Sequence, residues 1–249
     1  MSASHGSSKS PMKILIGLLL ALLVIAVVAE VGTRFYVGKR ITEEVPGSSV
    51  SFGASPLLLG AATGTVNHLT VDTENTLEIV STEAHPTEPT VTGTPKATVD
   101  IEDLDIRSER LMAGHFAADA ILPDEYLLAM AQRTQAERSE GNFFASLIEV
   151  TAIDTAGQKV RVLINDGLAT LTLTPRVGSN QLEFQVDSIE VGTVRLPDAF
   201  SEEIGRALQV AVAEATVDLK ITEVEVVDTG LRVVAVGDNV DLNSLQEQL

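Results

Sequence analysis

Residues 165–174, NDGLATLTLT, combine a turn with the clearest strand pattern in the chain. Ala169, Leu171 and Leu173 alternate with threonines, and a period of two places these apolar side chains on one face of a β-strand. The preceding Asn165-Asp166-Gly167 contains residues that tolerate the left-handed backbone of a hairpin turn. The pattern therefore predicts an antiparallel sheet with one apolar face.

The same pattern extends in both directions. Asp154-Thr155-Ala156-Gly157 predicts a second turn, so that Ala145 to Thr174 forms a meander. Apolar residues at every second position from Leu182 to Val186 extend the sheet. Near the C-terminus, Val217 to Val227 and Leu231 to Val236 predict another hairpin.

Earlier in the chain, Val66 to Val71 and Leu77 to Val80 predict short strands. Val99 and Ile101 are followed by Leu104 and Ile106, and the slip of one residue in their alternation predicts a β-bulge at Glu102-Asp103. The prolines and threonines of Thr82 to Pro95 predict an exposed loop.

Helices are predicted where a Leu-Pro-Asp sequence recurs. Leu122-Pro123-Asp124 opens a helical pattern that runs to about Ser139, and Leu196-Pro197-Asp198 opens one that runs to about Ala215. Proline suits the first turn of a helix, and the acids behind it interact favourably with the helix dipole. A third helix is expected from Arg34 to Val45. The fold class predicted is α+β, with a large curled antiparallel sheet wrapped over long amphipathic helices.

The N-terminus predicts export. Lys9 and Lys13 precede the apolar run Ile14 to Ala29, and this charge bias places the N-terminus in the cytoplasm and the rest outside. Residues 1–10 are predicted to be a cytoplasmic disordered tail, residues 11–33 a signal anchor or a cleaved signal peptide, and residues 34–249 an extracytoplasmic domain. The run is shorter than the roughly 20 residues of a spanning helix, so retention and cleavage both stay open.

Composition excludes several classes of function. The chain contains no cysteine, which removes disulfides and thiolate chemistry. Its net charge is −18, and about −20 without Lys9 and Lys13, so it repels phosphate backbones and argues against nucleic acid as a partner.

Catalytic patterns are not found in the sequence. Its histidines lack the spacing of a zinc site, no serine lies in a Gly-x-Ser-x-Gly turn, and no glycine-rich phosphate loop is present. Asp100, Glu102, Asp103 and Asp105 are interpreted as the solvent face of a strand, because a calcium loop needs a glycine that is missing here. We therefore predict that the protein is not an enzyme and uses no metal or cofactor.

Three stretches resemble the LmeA family of phospholipid-binding envelope proteins from actinobacteria. They are Ser55 to Gly60, Gly64 to Val71 and Leu219 to Val233. The resemblance implies an extracytoplasmic domain, in the cell membrane or secreted to the envelope, that binds phospholipid and supports lipoglycan assembly. It also implies a sheet similar to that of tubular lipid-binding proteins and an envelope glycosyltransferase as a further partner.

A lipid cavity would be lined by apolar residues of the early proline motif and of the helices that start after Pro123 and Pro197. The same residues could equally form an ordinary core. The candidates are Leu57, Leu58, Leu59, Val66, Leu69, Leu127, Leu128, Met130, Phe143, Phe144, Ile204 and Leu208.

Two functions remain open at this level. One is a domain that holds acyl chains between sheet and helices while the headgroup faces water. The other is a structural or adaptor domain with a solid core that scaffolds an envelope enzyme through its acidic surface.

Overall fold

The computed structural model describes residues 47–82, 85–107, 110–139, 149–202, 204–206 and 219–247. Their strands form three antiparallel sheets. The first sheet has the order β1-β2-β5-β6-β13-β12. Its strands are β1 Ser48–Phe52, β2 Thr65–Thr73, β5 Lys96–Asp105, β6 Met112–Pro123, β13 Gly230–Asp241 and β12 Lys220–Val227.

The second sheet is the predicted meander, in the order β11-β10-β9-β8-β7. Its strands are β7 Val150–Ala156, β8 Lys159–Ile164, β9 Ala169–Gly178, β10 Gln181–Val191 and β11 Val194–Arg195. Both predicted turns are found between these strands, while residues 145–148 lie outside the described residues. Sequence periodicity succeeded here because neighbouring strands are neighbours in the chain.

The described helices are α1 Leu57–Thr63, α2 Asp124–Ser139 and α3 Leu242–Glu247, and residues 198–202 and 204–206 are also helical. The predicted α+β class is wrong, because these helices are short and the sheets do not wrap over long amphipathic ones. The fold is mainly β. Leu-Pro-Asp marks helix starts correctly, since α2 begins at Asp124, but apolar residues on a helix do not reveal whether a sheet surrounds it.

None of the helices in the described part of the chain is both long and apolar enough to cross a membrane. The predicted apolar segment at residues 11–33 and the predicted helix from Arg34 to Val45 lie outside that part.

The first sheet has a kink at the position where the sequence predicted a β-bulge. Ile101 and Leu104 are both buried although two exposed residues separate them. The pairing of β5 with β2 and β6 nevertheless keeps one register along its length, so no residue is inserted. Instead, Asp103 has a φ of 51° and Asn239 a φ of 55°. At these residues, whose backbone is left-handed, the alternation of side chains between the two faces of the sheet shifts by one position. The bulge prediction is therefore replaced by a kink that keeps the register.

The predicted loop from Thr82 to Pro95 is wrong over most of its length. β3 Glu78–Thr82 pairs with β4 His85–Thr92 in a separate hairpin. Pro86 and Pro89 are tolerated because β4 pairs with β3 alone and is an edge strand, where a missing N–H breaks no second ladder. Helix α2 packs against β4 and β7.

The two large sheets meet along β12, the last strand of the first sheet. Val226 packs against the apolar cluster of the second sheet, and Ile221 N donates to Asn180 O at 2.8 Å. Thr155 Oγ1 donates to Val227 O at 3.4 Å. An edge that would otherwise expose unpaired backbone groups is thereby covered.

One face of the first sheet is polar and carries ion pairs between strands. Arg232 donates through Nε and Nη2 to the Asp119 carboxylate, at 2.9 and 2.8 Å, and this bonding raises the pKa of the guanidinium. His115 Nδ1 lies 2.9 Å from Asp238 Oδ1, and that hydrogen bond lowers the pKa of Asp238. These contacts identify the water-facing side of the sheet.

Candidate functional site

The other face of the first sheet is apolar, and its middle is built from small side chains. Cross-strand pairing aligns Val71 with Val99 and Val99 with Ala118 in one row. The next row aligns Ala97 with Ala120 and Ala120 with Val233. We call these two rows the apolar floor: Val71, Ala97, Val99, Ala118, Ala120 and Val233. All six residues are only half-buried.

The rows on both sides of the floor are better buried. On one side, Leu69 and Ile101 are each 7 % exposed and belong to the core cluster that also contains Phe116. On the other side, Leu231 is 1 % exposed. Alanine and valine project less far from a sheet than leucine or phenylalanine, so the floor lies lower than the rows that flank it.

Val71, Val99 and Ala118 pack against the core cluster, and Ala235, which pairs with Ala118, is 8 % exposed. We infer from the small side chains that the floor forms a shallow apolar trough across β2, β5 and β6, bordered by Val233 of β13.

A recess lies at the ends of β1, β2 and β5. Ala97 of the floor also lines this recess, and the row continues from Ala97 through Thr73 to Ser48. The recess has a volume of about 440 Å³ and is open to solvent. Its lining is Gly47, Ser48, Ser49, Asp72, Thr73, Glu74, Lys96, Ala97 and Thr98. Its charged residues belong to the polar face, because Asp72 pairs with Thr98 and Thr98 pairs with Asp119, the partner of Arg232.

Hydrogen bonds hold most of the polar groups in the recess. Thr98 Oγ1 donates to Asp72 Oδ1 at 2.7 Å, and Thr73 Oγ1 accepts from Ala97 N at 3.0 Å. Within the described part of the chain, the Lys96 ammonium and the Glu74 carboxylate have no hydrogen bond or ion pair. Both residues are exposed to water.

A second cleft, of about 470 Å³, lies between β9–β10 and the helical residues 198–202 and 204–206. Phe184 and Val186 form its apolar part, and Arg176 is held there by Glu183 through an ion pair of 3.0 Å. The apolar residues of this cleft already pack in the core of the second sheet. It is therefore a weaker candidate for acyl chains than the trough.

The predicted lining residues fall into separate places. Val66 and Leu69 meet in the core cluster beside the trough, and Leu57 is buried in α1, which packs on β2. Leu127, Leu128 and Met130 are half-buried on α2. Ile204 is 36 % exposed. The side chains of Leu58 and Leu59, and residues Phe143, Phe144 and Leu208, lie outside the described residues.

Sequence reasoning missed the floor itself. It selected large apolar side chains, whereas the floor depends on small ones at Ala97, Ala118 and Ala120. The alanines of β6 were the available signal, but alanine occurs equally in ordinary strands and helices. Only the pairing of β5, β6 and β13 aligns them in rows.

The acidic stretch of β5 lies on the polar face. Asp100 Oδ1 accepts a hydrogen bond of 2.7 Å from Thr70 Oγ1, and His68 Nδ1 lies 3.9 Å from Glu102 Oε1. Within the described ranges, no three His, Asp or Glu side chains converge as a metal site would require.

Comparison with known families gives one match. The family described as LmeA-like phospholipid-binding matches residues 28–236, which is most of the chain and includes every strand of the trough except the end of β13. Comparisons with curated proteins and with solved structures gave no significant match.

Proposed function

The chain belongs to the LmeA-like phospholipid-binding family, and from this membership we propose that it binds a phospholipid by laying the acyl chains on the apolar floor. The observation that supports the proposal is the half-buried floor on β2, β5 and β6, which lies between the better-buried rows of Leu69 and Leu231. Burying exposed apolar surface is favourable by about 25 cal/mol per Å², so acyl chains gain free energy by covering it.

We further propose that the protein works outside the cytoplasm, at the cell envelope, in the assembly or maintenance of envelope lipids or lipoglycans. Lys9 and Lys13 before the apolar run at residues 14–29 support export. An envelope glycosyltransferase is proposed as a partner. The absence of a catalytic pattern in the sequence supports a binding role over an enzymatic one.

Native mass spectrometry of the full-length protein, released from detergent micelles, tests the proposal. We expect a mass increment equal to one phospholipid, retained at collision energies that strip detergent. A protein that carries no lipid after incubation with phospholipid vesicles would contradict the proposal and favour the scaffold function.

Replacing Leu128 by tryptophan tests whether the face of α2 also borders lipid. Leu128 is half-buried, and in a hollow region the larger side chain occupies lipid space at little energetic cost. We expect lipid binding to fall while the melting temperature changes little.

Ala129→Trp is the matched control, because Ala129 lies on the same helix and is 1 % exposed. Overpacking there should destabilise the fold by about 1–3 kcal/mol. If Leu128→Trp lowers the melting temperature as much as Ala129→Trp does, Leu128 lies in a solid core and α2 does not border the lipid.

Topology can be tested separately. A reporter fused after Leu249 that is active only outside the cytoplasm, such as alkaline phosphatase, should be active in cells. Activity of a reporter that works only inside the cytoplasm, at the same position, would contradict export.

A further inference from the structure

We propose that the turns at one end of the second sheet dock the protein on a zwitterionic lipid bilayer, through the exposed side chains of Leu168, Val191 and Val194. These three residues are called the apolar tip. The proposal rests on the proposed function, because a protein that binds phospholipid has to meet the bilayer in which phospholipid resides. It adds the surface that makes this contact.

The apolar tip is formed by two adjacent turns. Val194 and Leu168 are 61 % and 60 % exposed, the highest values among the large apolar residues that the structure describes, and Val191 is 40 % exposed. Val191 pairs with Val194 across β10 and β11, and Gly192 N donates to Leu168 O at 2.8 Å. Apolar residues scattered singly over a surface are ordinary, whereas a group of them at one place indicates a contact with an apolar partner.

The backbone holds the apolar tip in a fixed shape. Gly192 has a φ of 60° and opens the two-residue turn between β10 and β11, a position that favours glycine. The turn before Leu168 is also left-handed, with a φ of 55° at Asp166. Ile189, on the same face of β10 as Val191, is 6 % exposed and belongs to the core of the second sheet. The tip thus continues the core outward, and docking orders little additional chain.

The charges around the apolar tip do not attract an anionic surface. Glu190 and Arg195 pair across β10 and β11 and lie on the opposite face of this hairpin from Val191 and Val194. Their charges cancel, so the exposed Asp166 leaves the two turns with one net negative charge. The net charge of −18 for the whole chain acts in the same direction. A zwitterionic bilayer therefore suits the tip better than an anionic one.

The size and shape of the apolar tip favour a bilayer over a protein partner. A specific protein–protein interface buries at least about 1,000 Å², which three side chains cannot supply. A Cβ added at Gly192 would meet no atom of the described chain within 4 Å, so the turn projects into open space. A projecting apolar turn enters fluid hydrocarbon without a complementary groove, whereas a protein partner would have to provide one.

Tryptophan fluorescence tests the docking, because the chain contains no tryptophan of its own. Val194→Trp places a single indole at the apolar tip. Full-length protein would be mixed with dioleoyl phosphatidylcholine vesicles, with and without lipid brominated in its acyl chains, which quenches an indole in hydrocarbon. We expect the emission to shift to shorter wavelength on the vesicles and to be quenched by the brominated lipid.

Val177→Trp is the matched control for the fluorescence. Val177 lies at the other end of β9 from Leu168 and is 37 % exposed. Both variants carry the apolar run at residues 14–29, so any attachment through that run is the same in both. The indole at position 177 should keep the emission of a water-exposed side chain.

The rate of lipid uptake tests whether docking serves phospholipid binding. The double variant Leu168→Asp, Val194→Asp should take up lipid from the same vesicles about 10-fold more slowly, because it loses the apolar contact. Its final lipid occupancy in native mass spectrometry should equal that of the wild type, since the binding surface is intact. Val177→Asp should change neither the rate nor the occupancy.

The outcomes separate the docking surface from the function on which it rests. If the indole at position 194 stays in water, or the double variant takes up lipid as fast as the wild type, the docking surface is overturned and phospholipid binding stands. An emission shift that grows with protein concentration without vesicles would identify a second copy of the chain as the occupant and also overturn it. If the indole is quenched but the wild type takes up no lipid, docking stands and the proposed function fails.

Discussion

Tryptophan in place of Ala120 should abolish lipid retention while leaving the protein folded. Ala120 is half-buried in the middle of the apolar floor, between Ala97 and Val233 of the neighbouring strands. An indole there fills the trough that the acyl chains would occupy. Since the trough is open, we expect destabilisation of less than about 1 kcal/mol and little change in the melting temperature.

Ala117→Trp provides the matched control for this result. Ala117 lies on the same strand, is also half-buried, and pairs with Asp100 and Val236 on the polar face. The two variants add the same side chain to opposite faces, so only the Ala120 variant should lose bound phospholipid in native mass spectrometry. Loss of lipid in both variants, or a large drop in melting temperature for Ala120→Trp with lipid retained, would exclude the trough as the binding surface.

Leu231→Ala should cause the largest loss of stability among single substitutions in the described core. Leu231 is 1 % exposed and pairs with Leu122 on one side and Val226 on the other. Val226 in turn packs on the second sheet, so the cavity would open close to the line where the two sheets meet. Large-to-small changes at buried leucines cost about 2–5 kcal/mol. Chemical denaturation followed by circular dichroism measures the change.

Leu168→Ala is the control for the effect on stability of truncating a leucine side chain that is not buried. Leu168 lies in the turn before β9 and is 60 % exposed, so its truncation should change the free energy of unfolding by no more than about 0.5 kcal/mol. If the Leu231 variant unfolds as the Leu168 variant does, the two sheets are not held together at Leu231.

The sequence predicted the elements whose pairing is local. The meander of the second sheet and the hairpin of β12 and β13 join strands through short turns, and these turns carry glycine or residues with positive φ such as Asn165 and Asp166. Helix starts were predictable for a similar reason, because proline in the first turn is a local signal.

The sequence did not predict how distant segments assemble. β6 lies between β5 and β13, although more than a hundred residues separate Ala120 from Val233. Neither strand contains a sequence pattern that indicates which strand it pairs with. For that reason a single curled sheet around long helices was predicted, where two sheets meeting along β12 are found.

The candidate site was also predictable from the sequence only in part. The sequence alone supplies the composition, the apolar run at residues 14–29 and the family motifs. The apolar run predicts export, and the motifs indicate a family that binds phospholipid. Only the tertiary structure decided where apolar surface is left uncovered. Hydrophobicity along a chain reports how much a residue gains from burial, whereas the space above Ala97, Ala118 and Ala120 depends on which strands lie side by side and on how well the flanking rows are packed.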